Sequence, residues 1–350
     1  MAWCSKDIRE DLKELKRLYH EETDVRKKEE LAEAIRDTMY VICDIELEDR
    51  STYSLSDAMT LFNSVPKYNM YYPEIDKFSM LIRSLNYNEQ ENYEFDYDKE
   101  IDKSDIYPML RDFYKSVGRE IYYKYAEIED HKDTRIKIDE DMNAVEGNTF
   151  FVPVLNKIYM QIGDAGDNRD VLYTLTHEFG HGISALINPK RYFNFDYFYE
   201  IESIFFELLG LDYYYRLTGD TFYSDYMKSR LINQIYAADE VIAMRRVMDR
   251  TFNKMHDADS ADELCKKHLI QEGIMSGVLT IDVDKNMKYL FSYLVAVELF
   301  EAYKEDPDLG INLFNKIIKR DKEQSEYQSI YSTVTPVKSM KKHIERLSRY

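Results

Sequence analysis

Proline and glycine are scarce in this chain, 7 and 11 among 350 residues. A many-turned β fold needs both at its corners, so their shortage points to long helices. Cysteine is nearly absent. Cys4, Cys43 and Cys265 are odd in number, and no two stand at metal-ligand spacing. That speaks against a disulfide framework and for a reducing compartment, so a cytoplasmic location is expected. No run approaches the ~18 apolar residues of a membrane span. The first thirty residues are charged and lack an apolar core, so they do not read as a signal peptide. Basic residues are also in deficit: 47 Lys and Arg face 66 Asp and Glu, for a formal charge of −19. Binding phosphate requires a basic stripe, so nucleic acid is not an expected partner. What is present is enough apolar material for a sizeable core, 44% of residues, and an unusual load of 31 tyrosines. Tyrosine packs like phenylalanine and keeps a hydroxyl for polar work.

Apolar periodicity predicts two amphipathic helices over 5–48, carried by Ile8, Leu12, Leu15 and Leu18, then by Leu31, Ile35, Met39 and Ile42, with a turn at Glu22–Asp24. Residues 55–85 read as helical, broken at Pro66 and Pro73, and Asn86–Ser104 as a polar surface connection. One helix is expected from Asp105 to Asp130. Thr149–Leu155 and Lys157–Ile162 alternate as a strand pair with a turn at Leu155-Asn156. A loop at Gly163–Asn168 leads into a helix over Arg169–Ile187, ended by Asn188-Pro189. Further helices are expected over 198–217, 221–256, 260–275, 284–304, 309–319 and 335–348. The expected fold class is therefore mainly α, with a small β-sheet just ahead of the helix at Arg169–Ile187. The expected division is an N-terminal helical region, 1–135, and a second region, 136–350, joined as one compact unit.

That helix carries His177-Glu178-Phe179-Gly180-His181. Residues i and i+4 share a helix face, so the two imidazoles can aim at one metal ion. Glu178 is rotated by about 100° from His177 and can reach a water activated by the metal without being a ligand. Zinc lowers the pKa of such a water toward ~7, and a neighbouring carboxylate takes its proton as a carbonyl is attacked. With 7 histidines in the chain, the pattern arises by chance in ~1% of such sequences. The bland reading is a pair of core or surface histidines.

A catalytic zinc has three protein ligands and one open position. No third histidine follows shortly, so a carboxylate is expected. Glu200, Ser203 and Glu207 share one face of the next helix among Ile201, Ile204, Phe205, Phe206 and Leu208. A carboxylate in so apolar a helix needs a partner, and one zinc ion would serve. Glu202 points to another face. Ser203 and Glu207 would orient a ring or the liganding carboxylate; a solvated helix face is the alternative. Asp170, seven residues before His177, is expected as an N-cap or solvated group.

The segment His177 to Gly182, followed by Phe198-Tyr199-Glu200-Ile201-Glu202-Ser203-Ile204-Phe205-Phe206-Glu207, resembles the thimet oligopeptidase and oligoendopeptidase F family of zinc metallopeptidases. The resemblance covers roughly Glu146 to Lys304. It implies a zincin-like helical peptidase fold, one Zn2+ on His177, His181 and Glu200, and Glu178 as general base. It also implies that a strand edge, here Tyr159–Ile162, pairs with a substrate backbone. Lys288-Tyr289-Leu290-Phe291-Ser292-Tyr293-Leu294 resembles the family's tyrosine helix, which would make Tyr289 or Tyr293 an oxyanion donor. Both could instead be core aromatics. Two departures stand out. The chain is much shorter than typical members. Ser276–Met287 also lacks the family's histidine and has Gly277 as its single glycine, with His268 further back.

The expected function is hydrolysis of short or unfolded peptides by a zinc metalloendopeptidase. Its expected partners are peptide substrates, with no nucleic acid and no membrane; the sequence assigns no oligomeric state. The alternatives are a zinc exopeptidase and a catalytically idle zinc-containing peptide- or partner-binding protein.

Overall fold

The computed structural model describes residues 2–24, 27–28, 31, 35, 72–84, 101–140, 147–152, 155–164, 166–189, 200–252, 283–319 and 339–349. In chain order the elements are α1 (Ala2–Glu21), α2 (Tyr72–Ser84), α3 (Ile106–Val117), α4 (Arg119–Glu129), α5 (Lys132–Arg135), β1 (Ile136–Asp139), β2 (Gly147–Val152), β3 (Lys157–Gly163), α6 (Asn168–Ile187), α7 (Ile201–Thr218), α8 (Thr221–Phe252), α9 (Val283–Glu305), α10 (Pro307–Ile318) and α11 (Met340–Leu347). The expected helices over 260–275 and most of 25–48, the segment 86–100, and the loop with Gly277 and His268 lie outside the described residues. No described helix is long and apolar enough to cross a membrane.

The chain divides into two compact units, Met1–Arg50 with Tyr97–Asp196, and Ser51–Asp96 with Tyr197–Tyr350. The first unit is built on a three-stranded sheet of order β1-β3-β2. β2 and β3 pair antiparallel with Thr149 opposite Met160, and β1 pairs parallel to β3 with Ile136 opposite Met160. Strand alternation divides the side chains between two faces. On one face Val152 and Tyr159 join Leu15 and Leu31 in a cluster that also takes in Leu12, Leu18 and Phe150, so α1 covers that side. Asp11 reinforces the seam: it accepts a 2.6 Å bond from Lys157 Nζ and one from the Tyr159 hydroxyl. On the opposite face Ile158, Met160 and Ile162 are buried, and α6 packs there. A Cβ added at Gly182 would stand 2.8 Å from Ile128 Cδ1 and 2.9 Å from Met160 Cε. The missing side chain lets helix and sheet approach.

Two expectations change here. The helix expected from Asp105 to Asp130 is two helices, broken at Gly118, whose φ of 154° and ψ of 158° leave the helical region. An L side chain rarely takes that conformation, and glycine does so without a Cβ penalty. The sheet also has a third strand, Ile136–Asp139, that the sequence reading missed. Four residues are too few for periodicity to register. The turn between β2 and β3 does fall at Asn156, which takes a positive φ of 49°. α3 and α4 are tied by Arg111, which donates to Glu129 at 2.5 Å and 3.2 Å.

The second unit is helical throughout its described part. α7 is apolar on nearly all sides, and every residue from Ile201 to Asp212 is buried, as expected of a helix surrounded by others. It packs on α8 and α9. Phe205 stacks on Phe314 of α10 at 5.4 Å. The stretch Leu290–Ala302 of α9 is equally buried. α11 closes against α9 through Arg346 and Glu301.

Candidate metal centre

Asp167 caps α6 by accepting from the Arg169 backbone N–H at 2.8 Å, and its carboxylate also receives the fully buried Arg169 guanidinium. The N-cap is thus Asp167 rather than Asp170. Burial, with the Asp167 charge beside it and Arg169 opposing, pushes the Asp170 carboxyl up to about 6. From this start the helix runs unbroken through the motif. Its central turn is held from outside by aromatic rings. Tyr114 and Tyr125 stack at 4.7 Å, and both rings contact Phe179. The buried Tyr114 hydroxyl donates to the carbonyl of Thr176 at 2.9 Å, the residue before His177.

His177 and His181, one turn apart, present their rings edge to face with centroids 5.0 Å apart. His181 is 4% exposed, and His177 is half-buried. Glu200 stands at the N-cap position of α7, yet its side chain makes no capping bond. It is buried, and Ser203 Oγ lies 3.2 Å from its Oε2 and 3.1 Å from its carbonyl oxygen. Ligand atoms of His177, His181 and Glu200 all lie within 4.8 Å of one another. Two imidazoles and one carboxylate form a donor set suited to a zinc with an open position. The residues present therefore fit the expected ion.

The expected orienting residues divide. Ser203 touches Glu200. The Glu207 carboxylate is fully buried and gripped by Arg230, with contacts of 2.8 and 3.1 Å. Glu178 is 4% exposed. Its Oε2 accepts a 2.6 Å bond from the Thr149 hydroxyl of β2, a partner the sequence reading did not name. Alternation in β2 was visible, but which strand faces the helix was not.

The substrate-pairing expectation for Tyr159–Ile162 is corrected. β3 is the middle strand, bonded to β1 along Met160–Gly163 and to β2 along Lys157–Ile162. Its edges are taken. Among the described residues, the sheet edge beside Glu178 belongs to β2.

Tyr289 is half-buried and Tyr293 fully buried on α9. The Tyr293 hydroxyl stands 3.4 Å from Nε2 of His343, a buried residue of α11 that the sequence reading passed over. His343 Nδ1 is 3.5 Å from Glu301. A lone histidine in an amphipathic eight-residue helix carries no pattern that would single it out.

The sequence matches no protein-family model and no curated protein. Solved structures do match in fold. One is a protein assigned as an oligoendopeptidase F from Bacillus anthracis str. Ames, with a TM-score of 0.54 and 12% identity, covering 93% of this chain and 64% of that one. Another structure assigned as an oligoendopeptidase F gives 0.51 and 12%, covering 91% and 64%. PZ peptidase A with an inhibitor gives 0.51 and 12%, covering 92% and 65%. This chain thus spans under two thirds of the length of each. At this identity the likeness speaks to fold alone: the chain shares the mainly α fold of these structures, and its small sheet lies ahead of the helix that bears the histidines.

Proposed function

We propose that this chain is a zinc-dependent metallopeptidase that hydrolyses peptide bonds of short or unfolded peptides. The observation that carries the reading is the convergence of His177, His181 and Glu200 within 4.8 Å, with Glu178 next in sequence to the first ligand. The fold shared with peptidases supports it.

His177, His181 and Glu200 would hold the ion, and Ser203 would orient Glu200. Zinc bound there supplies Lewis-acid polarisation of a carbonyl and lowers the pKa of water. Glu178 takes the proton released as water attacks, then delivers it to the departing amine nitrogen. A phenol on α9 donates to the oxygen that gains charge. Tyr289 and Tyr293 are the candidates, and the Tyr293 hydroxyl faces His343. β2, the outer strand of the described sheet on the Glu178 side, would bind the extended peptide by backbone hydrogen bonds, a mode in which affinity comes from the main chain.

The test is metal analysis of the purified protein combined with turnover of a quenched-peptide library, with and without chelator. Stoichiometric zinc and chelator-sensitive cleavage are expected. Glu178→Gln should keep zinc and lose turnover. Zinc with no cleavage of any peptide would instead favour an idle binding protein, and cleavage only at unblocked termini an exopeptidase.

A further inference from the structure

We propose that Thr149 is a positioning residue for Glu178, and that β2 acts as a splint for the general base. The inference rests on the reading of Glu178 given above.

Glu178 reaches its proton donor through three rotatable bonds, so its carboxylate must be held to act repeatedly in one geometry. Two features of β2 hold it. The first is the Thr149 hydroxyl, 2.6 Å from Oε2 and 3.1 Å from the Glu178 carbonyl oxygen. A hydroxyl has one proton, and the shorter contact to the charged acceptor takes it. Both side chains are under a tenth exposed, so little water competes. The second is Gly147, two residues earlier and hence on the same strand face. A Cβ there would stand 2.5 Å from Glu178 Oε1, 2.7 Å from its Cγ and 2.8 Å from Thr174 Cγ2. Thr174 and Glu178 are four apart on α6, so this helix face closes around bare backbone. The strand itself is anchored by its ladder to β3. Thr149 therefore engages one oxygen of the carboxylate, and the proton moves on the other.

Thr149→Val removes the hydroxyl at nearly constant shape, and Thr149→Ser keeps it. Loss of an orienting bond of this kind costs roughly 10–100-fold in activity. The expected result for Thr149→Val is a fall of that size in kcat with KM within about twofold of wild type. Zinc content should be unchanged. Thr149→Ser should recover most of the loss. A peptide hydroxamate, whose proton passes to the base on binding, should bind Thr149→Val more weakly than wild type and Thr149→Ser nearly as tightly. In crystals of the zinc-free variants, the Glu178 carboxylate should have left β2 in Thr149→Val and kept its place in Thr149→Ser.

Unchanged kcat in Thr149→Val, or an unmoved Glu178, overturns the proposal. So does equal loss of zinc and activity in both variants, which would make Thr149 a packing residue. Glu178→Gln separates the two levels: full turnover in that variant overturns the base assignment itself, whatever Thr149 does.

Discussion

Replacing Glu301 by Gln probes the charged network that closes the second unit. Glu301 lies on α9 at 1% exposure and accepts two bonds from Arg346 of α11, at 2.9 and 2.8 Å. Glutamine keeps the shape, removes the charge and turns one acceptor into a donor facing a donor. Removing one partner of a buried ion pair costs roughly 3–5 kcal/mol when the other charge is stranded. Arg346 is not stranded: its side chain keeps 27% exposure and its guanidinium lies over the Phe300 ring. The loss should therefore fall at or just below that range, about 2–3 kcal/mol. Protonation offers a second route to the number. Burial alone would raise the Glu301 carboxyl, but the Arg346 bonds, His343 and their charges outweigh it and hold the group at about 2 instead of 4.5. That depression corresponds to at most about 3 kcal/mol at neutral pH. The sign follows from its direction. A depressed folded pKa contributes stability that is full above 4.5 and is lost as pH falls toward 2. The gap between wild type and Glu301→Gln should thus be largest at neutral pH and narrow in acid, where Glu301 itself becomes neutral. Taking the difference between two otherwise identical chains cancels the other carboxylates. Urea unfolding followed by circular dichroism, from neutral to about pH 3.5, measures it. Equal stability at neutral pH, or a gap that widens on acidification, would refute the reasoning.

Gly182→Val drives two methyl groups toward Ile128 and Met160 and should cost about 2–3 kcal/mol. Gly182→Ala should be near neutral, because about 1 kcal/mol of helix propensity offsets the milder crowding; denaturant midpoints distinguish the two. Asp11→Ala strips Lys157 and Tyr159 of their partner and should cost about 1–3 kcal/mol. Hydrogen exchange should then rise along Ala2–Glu21, and unchanged protection would mean that the apolar cluster alone docks the helix. Zinc at a hundredfold excess over its Kd should stabilise the protein by about 2.7 kcal/mol, read as a higher Tm that chelator reverses. His181→Ala should abolish that shift and Glu178→Gln should keep it; a shift surviving in His181→Ala would place the ion elsewhere.

Much of the fold was legible because its signals are local. Helix positions repeat every 3.6 residues, so α6, α7 and α9 begin and end within a few residues of expectation. β2 and β3 alternate with period two and flank a turn at Asn156. The break at Gly118 escaped because the apolar stripe runs on through it; only the backbone angles show the bend. β1 escaped because a four-residue strand has no period to detect. Its absence from the sequence reading hid that β3 is the middle strand of the described sheet.

For the candidate site, sequence alone named the candidate donors. His177 and His181 are tied by helical spacing, and Glu178 follows from its position between them, because one helix holds all three regardless of what surrounds it. Everything that depends on residues distant along the chain was left to the tertiary structure. Thr149 meets Glu178 across 29 positions, Tyr114 meets Thr176 across 62, and Tyr293 meets His343 across 50. Such contacts arise from how whole elements pack, and packing leaves no periodic trace in a single sequence. The candidate residues were therefore legible locally, and the contacts that hold them in place were decided by the fold.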